Sequence, residues 1–159
     1  MQIPSCSVQD IPFGAGISIT SRAQFIYINS RLKPLGLTGG QFPVLLLLAK
    51  RQNIMQETLV RHYHLDKGTI ARAVRKLEDR GYIRRITDPG NRRAVRLFLT
   101  KKGEQVIPVL HAISNDWETI VFCGLTGQEQ EQLRALMRTV TANSIPVIRN
   151  PGEVSHDGE

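Results

Sequence analysis

Residues 65–103 read LDKGTIARAVRKLEDRGYIRRITDPGNRRAVRLFLTKKG, and a single change of hydrophobic period inside them decides the fold. Between Asp66 and Gly81 the apolar residues Ile70, Ala73, Val74 and Leu77 recur at helical spacing on one face. Asp66 is the expected N-cap, Leu65 and Ile70 take the N′ and N4 positions of a hydrophobic staple, and Gly81 follows the last turn as the C′ residue. After Gly81 the period shortens to alternation. YIRRITD and AVRLFLT flank a Pro-Gly-Asn turn and read as a β-hairpin tipped with Arg92 and Arg93. In its second strand Val95, Leu97 and Leu99 face a core, which leaves Arg96 and Phe98 on the other side.

The polar side of the helix carries chemistry suited to a duplex. Opposite the apolar face lie Gly68, Arg72, Arg75 and Asp79, flanked by Thr69 and Lys76, with Lys67 at the helix start. Arginine makes bidentate contacts to guanine O6 and N7, a threonine methyl meets a thymine methyl, and glycine lets backbone approach closely. An ordinary amphipathic helix with a solvated basic side would carry similar residues, so the neighbours decide. Upstream, Met55, Leu59, Val60 and Tyr63 mark a preceding short helix, joined to this one by a tight turn. A helix-turn-helix followed at once by a basic hairpin is a winged helix. A hairpin beside a helix in the major groove reaches the adjacent minor groove, whose narrow A·T-rich segments attract arginine. Arg92, Arg93 or both are expected to enter it, with Asn91 beside them.

Charge points the same way. Of the 21 Lys and Arg, 15 fall between Lys50 and Gly103, against five of the 14 Asp and Glu, so this third of the chain carries +10 and the remainder −3. A concentrated basic field selects a polyanion, because neutralising phosphates releases counterions. The leading expectation is double-stranded DNA; a winged-helix module for RNA or protein is the alternative, which a sharply palindromic DNA preference would exclude.

The rest of the chain reads as helix around this unit. Residues 1–13, with Pro4 and Pro12, form an N-terminal arm. A broadly apolar helix is expected from Gly16 to Leu35, closed by Pro34 and Gly36, and Thr38 is the expected N-cap of a short, very apolar helix over FPVLLLLAK. Beyond Lys101, Val106, Val109, Leu110, Ile113, Trp117, Ile120 and Val121 hold helical spacing through Pro108. Thr126 and Glu129 then open a last helix as a capping box, with Leu133, Leu136, Met137 and Val140 on one face. The expected fold is mainly α with a small β-hairpin wing: DNA-binding residues 38–103, a dimerisation region of residues 14–37 and 104–146, and a disordered tail at 147–159. Terminal helices this apolar exceed what the small DNA-binding unit can cover, and a two-fold dimer would place two reading helices about 34 Å apart, one turn of DNA.

Other classes are disfavoured. The longest apolar run, Val44 to Ala49, falls far short of the roughly 20 residues of a membrane span, and no secretory leader is evident, so a soluble, cytoplasmic protein with no membrane partner is expected. Cys6 and Cys123 suit neither a disulfide framework nor zinc spacing. His62 and His64 are two apart and point to different sides of a helix, His111 lies on the long helix and His156 in the tail, and no Glu or Cys completes a metal set. Without a phosphate loop, nucleophile elbow or triad, no enzyme, metal or cofactor is implied.

LTGGQFPVLLLLA together with residues 65–103 resembles the multiple antibiotic resistance regulator (MarR) family of winged-helix transcription factors. The resemblance spans roughly residues 17–145 and is most specific from Leu65 to Gly103, ending in Leu-Thr-Lys-Lys-Gly. It implies a homodimer joined through terminal helices, acting as a repressor released by a small aromatic or amphipathic anion or by oxidation. One departure stands in the wing: where the family carries Asp-x-Arg, this chain has Asn91, Arg92 and Arg93, and an amide accepts hydrogen bonds without charge assistance. Ligand-responsive members hold the effector between the dimer helices and the DNA-binding lobe. That makes Arg22 a candidate for an effector carboxylate or equally a surface ion pair, with Phe25, Tyr27, Phe42 or His62 as an apolar wall. Members that sense peroxide use a cysteine near the first helix, which makes Cys6 the redox candidate.

Overall fold

The structure, a computed structural model, describes residues 8–150, with the side chains of residues 92 and 93 outside the description. After a 3-10 turn at Val8–Asp10, the chain runs α1 (Phe13–Leu32), α2 (Phe42–Lys50), β1 (Ile54–Met55), α3 (Gln56–Tyr63), α4 (Lys67–Asp79), β2 (Ile83–Asp88), β3 (Asn91–Leu99), α5 (Lys101–Val121) and α6 (Gly127–Arg149). The three strands form one antiparallel sheet in the order β1-β3-β2.

The mainly helical architecture with a hairpin wing is the expected one, and its differences in detail have local causes. Helix α1 starts at Phe13, inside the expected arm, because Pro12 tolerates a cap position where no N–H is needed. It ends at Leu32, and Lys33–Leu35 tightens to a 3-10 turn closed by Gly36 at φ 65°. Thr38 does not cap α2; Gln41 occupies the cap position without a side-chain cap bond, and its Oε1 instead accepts the Thr38 N–H at 2.8 Å, closing a turn from Thr38 to Gln41 before the helix. Met55 belongs to β1 rather than to α3. Helix α6 continues through Pro146 to Arg149, so residues 147–149 of the expected disordered tail are helical.

One core joins α2 to the elements around it. Helix α2 buries Phe42, Val44, Leu45, Leu47 and Leu48, and meets Leu59 of α3, Ile70, Val74 and Leu77 of α4, Leu97 and Leu99 of β3, and Val106, Leu110 and Ile113 of α5. Tyr63 donates its hydroxyl to the Pro43 carbonyl at 2.8 Å and fastens α3 to α2. The terminal helices contrast with this: α1 buries only Ile28 and Leu32, and α6 buries nothing. No helix among the described residues is long and apolar enough to cross a membrane.

The Leu-Thr-Lys-Lys-Gly segment has a physical reason at each polar end. Thr100 caps α5, accepting the Gly103 N–H at 3.1 Å, while its own N–H donates to the Tyr82 carbonyl at 3.0 Å. Gly103 packs so tightly on that carbonyl that a Cβ would sit 2.1 Å from the Tyr82 oxygen. Backbone must therefore move to admit any side chain. Gly103→Ala is expected to destabilise the fold by about 3 kcal/mol, the upper range for overpacking a core. Urea unfolding checks this, and a loss under about 0.5 kcal/mol, typical of unconstrained surface sites, would show the junction to be loose.

Candidate nucleic-acid interface

The amino end of α4 is held by a relay of short polar side chains. Asp66 caps the helix, accepting the Thr69 N–H at 2.8 Å and the Thr69 hydroxyl at 2.5 Å. Arg72 donates Nη2 to the same hydroxyl at 3.0 Å. Gly68 lies beneath this relay, where a Cβ would approach Asp66 Oδ1 at 3.1 Å and Arg72 Nη1 at 3.4 Å. The expected reading residues thus include a preorganised cluster, Gly68, Thr69 and Arg72, while Lys67, Arg75 and Lys76 stand exposed on the same helix. Ile70, Ala73, Val74 and Leu77 are buried on its other side, as the period requires. Of the two staple residues, Ile70 is buried but Leu65 stays 41% exposed, so the cap rests on Asp66.

The carboxyl end of α4 is equally fixed. Gly81 at φ 72° lets its N–H reach the Glu78 carbonyl at 2.8 Å and the Tyr82 N–H reach the Leu77 carbonyl at 2.9 Å, a Schellman motif that delivers the chain into β2. Arg85 of β2 returns to α4, its Nε donating to Glu78 Oε2 at 2.6 Å. The helix before α4 ends with His64 in the left-handed region at φ 50°, which makes the turn between α3 and α4 tight.

The wing carries two ties that periodicity did not reveal. Arg84 lies over the Phe98 ring at 5.1 Å. Asp88, buried at the tip end of β2, accepts the Gly90 N–H at 2.8 Å and pairs with Arg96, whose Nη1 also donates to Asn53 Oδ1 at 3.3 Å. The Asp-Pro-Gly spacing was the available signal, since Asp two residues before an amide is an Asx turn. Asn91, Arg92 and Arg93 open β3 immediately after that turn.

The effector candidates are dispersed in this single chain. Arg22 lines a shallow groove on α1 with Ile19 and Ile26, to which Phe25, Tyr27, Phe42 and His62 do not contribute. Phe42 is in the core, Tyr27 is half-buried 5.6 Å from the Trp117 ring, Phe25 is exposed, and His62 is exposed against Tyr63. Cys6 lies outside the described residues, and Cys123 is exposed.

Residues 37–95, from the turn before α2 into β3, match the model of the MarR family. The chain is 34% identical over 127 residues to the HTH-type transcriptional regulator YybA of Bacillus subtilis (strain 168), covering 80% of this chain and 85% of that protein. The chain belongs to the MarR family. A MarR transcriptional regulator from Methanosarcina mazei Go1 superposes with a TM-score of 0.80 at 35% identity, over 84% of this chain and 96% of that one. A MarR-family regulator from Listeria monocytogenes, solved in complex with a 26mer DNA, gives 0.84 at 26% identity, over 94% and 99% of the two chains. This MarR protein is therefore a winged-helix, DNA-binding transcriptional regulator and not an enzyme.

Asp66 gives the interface an acid limit. The Thr69 hydroxyl and N–H hold its carboxyl below the ordinary carboxylate range. A group whose pKa is lower folded than unfolded binds fewer protons when folded, so its stabilisation is complete above the unfolded value of about 3.9 and is lost as pH falls through the folded value. Asp66→Asn is therefore expected to lose less stability than the parent protein when urea midpoints are compared between neutral pH and pH about 3. Identical acid losses in the two proteins would show that the cap does not carry this linkage.

Proposed function

We propose that this MarR protein is a homodimeric repressor that reads a palindromic operator with α4 and reaches the flanking minor groove with the wing. The observation that carries the reading is the juxtaposition of one exposed helix face, bearing Lys67, Arg72, Arg75 and Lys76, with a hairpin whose turn leads directly into Asn91, Arg92 and Arg93. A relative from Listeria monocytogenes solved in complex with a 26mer DNA supports the choice of DNA as partner. Arg72 and Arg75 are the base-reading candidates, Gly68 and Thr69 allow close approach, and Arg93 is the minor-groove candidate.

Release by a small aromatic or amphipathic anion completes the proposal, with a site between the terminal helices and the DNA-binding lobe formed in the dimer. Arg22, Phe25 and Tyr27 belong to α1, Phe42 to α2 and His62 to α3. Action in the cytoplasm follows from the partner, which is chromosomal DNA.

Selection of random duplexes by the purified protein at two salt concentrations tests the main reading. A two-fold-symmetric site that persists at the higher salt is expected. On that site Arg72→Ala or Arg75→Ala should each cost about 1–3 kcal/mol and relax the preference at one base position per half-site. Equal weakening on the selected and on a random duplex would remove the base-reading role.

The dimer rests on uncovered apolar surface: Ile120 of α5 is 53% exposed and Leu136 of α6 is 58% exposed, beside Leu133 and Met137. Sedimentation equilibrium should give twice the chain mass for the parent protein, and Leu136→Glu should shift the population towards single chains. A parent protein that sediments as a single chain at concentrations where it binds its operator would exclude the dimer.

A further inference from the structure

The basic residues of the wing differ in what holds them. Neighbouring residues Thr87 and Asp88 of β2 pair with Val95 and Asn91 of β3, so Arg92, Arg93 and Ala94 fall between the partners of two adjacent residues. The arginine pair therefore sits in a β-bulge. A bulge bends its strand and re-aims it, and the sheet ladder alone does not fix its path. What fixes it must grip its ends.

Asp88 grips both. Asp88 is the register partner of Asn91 at the near end of the bulge, and its carboxylate pairs with Arg96, just past Val95, at the far end, while also closing the turn through the Gly90 N–H at 2.8 Å. Asp88 is only 9% exposed although Thr87, Pro89 and Gly90 around it are exposed, and an aspartate is rarely buried unless paired. Arg96 carries the grip onward to the body of the lobe. Its Nη1 donates to Asn53 Oδ1, and Asn53 holds a left-handed φ of 60° directly before β1, whose Met55 is the register partner of Arg96 itself.

We propose that Asp88 and Arg96 form an internal clasp that sets the path of the bulge and so presents the Arg92–Arg93 segment to DNA. Arg96, although it lies in the basic third of the chain, is then a positioning residue and not a phosphate ligand, and Asp88 is an acid that strengthens binding to a polyanion. This rests on the reading of the wing as a DNA-contacting element. The carboxyl of Asp88, held low first by Arg96 and then by the Gly90 N–H, stays ionised where the clasp must work.

Two conservative variants decide it, measured as full-length protein against the selected duplex, or a random duplex if selection returns no motif, over a range of salt. Asp88→Asn removes a negative charge, which by bulk electrostatics should tighten binding; the clasp requires it to weaken, by about tenfold, the scale of a lost charge-assisted hydrogen bond. Arg96→Lys keeps the positive charge but cannot serve a carboxylate and an amide with one planar fork, so it too should weaken binding about tenfold, with an unchanged slope of log affinity against log salt. Arg96→Gln, which removes the charge, would lower that slope by about 0.9 per protomer if Arg96 were a phosphate ligand and leave it unchanged if it is not. The double variant should be no weaker than either single one, because both break one interaction. Matching helical circular dichroism and unfolding midpoints above the assay temperature keep the comparison within folded protein. Asp88→Asn binding as tightly as the parent or tighter, or Arg96→Lys binding like the parent, would overturn the clasp alone. A parent protein whose affinity is unaffected by Arg92→Ala and Arg93→Ala would overturn the wing reading, and the clasp with it.

Discussion

The structure depends most on one backbone position, Tyr82. Its N–H closes the Schellman motif of α4 on the Leu77 carbonyl at 2.9 Å, its carbonyl receives the Thr100 N–H at 3.0 Å, and its hydroxyl reaches the Leu35 carbonyl at 2.8 Å. Lys102 covers its ring at 4.3 Å, and Gly103 leaves its carbonyl room. Helix α4, the hairpin, α5 and the linker between α1 and α2 therefore meet at a single residue. A buried tyrosine with every polar group satisfied makes a rigid joint, since loosening any one bond leaves a desolvated donor or acceptor behind.

That joint matters for a protein whose reading head is small. Helix α4 has 13 residues, too few to be stable alone in water, so it depends on its buried face of Ile70, Ala73, Val74 and Leu77 and on what closes its two ends. At the start the grip is chemical: Asp66, Thr69 and Arg72 share one hydroxyl and one carboxylate. At the finish it is geometric, through Gly81 and Tyr82. The polar relay at the start also holds the Arg72 guanidinium on the Thr69 hydroxyl, and under the proposed reading this lowers the side-chain entropy lost on binding.

What was legible in the sequence divides along the range of the signal. Caps are written within four residues, and Asp66, Gly81, Thr126 and Glu129 take the roles their spacing implied. The core face of β3 was legible for the same reason, since alternation fixes Leu97 and Leu99 on one side. The staple was not. Leu65 has the right position but stays exposed, because spacing gives a partner in sequence and not the path of the turn from His64 that carries it. The end of α6 was also misjudged: an interior proline deletes one hydrogen bond and strains one turn, yet the Asn150 N–H still reaches the Pro146 carbonyl at 2.9 Å. The bulge around Arg92 and Arg93 is legible only from cross-strand register, which Asp88 and Arg96 determine from opposite strands.

The two halves of the chain face different solvents. The lobe from α2 to β3 buries most of its apolar residues in one core that α1 and α5 complete with Ile28, Leu32, Val106, Leu110 and Ile113, and it carries the chain's basic excess. The terminal helices do the reverse. Helix α6 is 23 residues long, about 34 Å at 1.5 Å per residue, and buries none of them, while its capping box and the Arg134–Glu118 pair at 2.7 Å orient it on α5 without covering its apolar face. Most helical stability in a protein comes from packing an apolar face, and α6 has no buried stripe within its own chain. Leu133, Leu136 and Met137 are left exposed, and the proposed second copy would cover them with a matching face. Under that proposal the apolar surface and the basic surface are one design: burying the former spaces two copies of the latter along a single duplex.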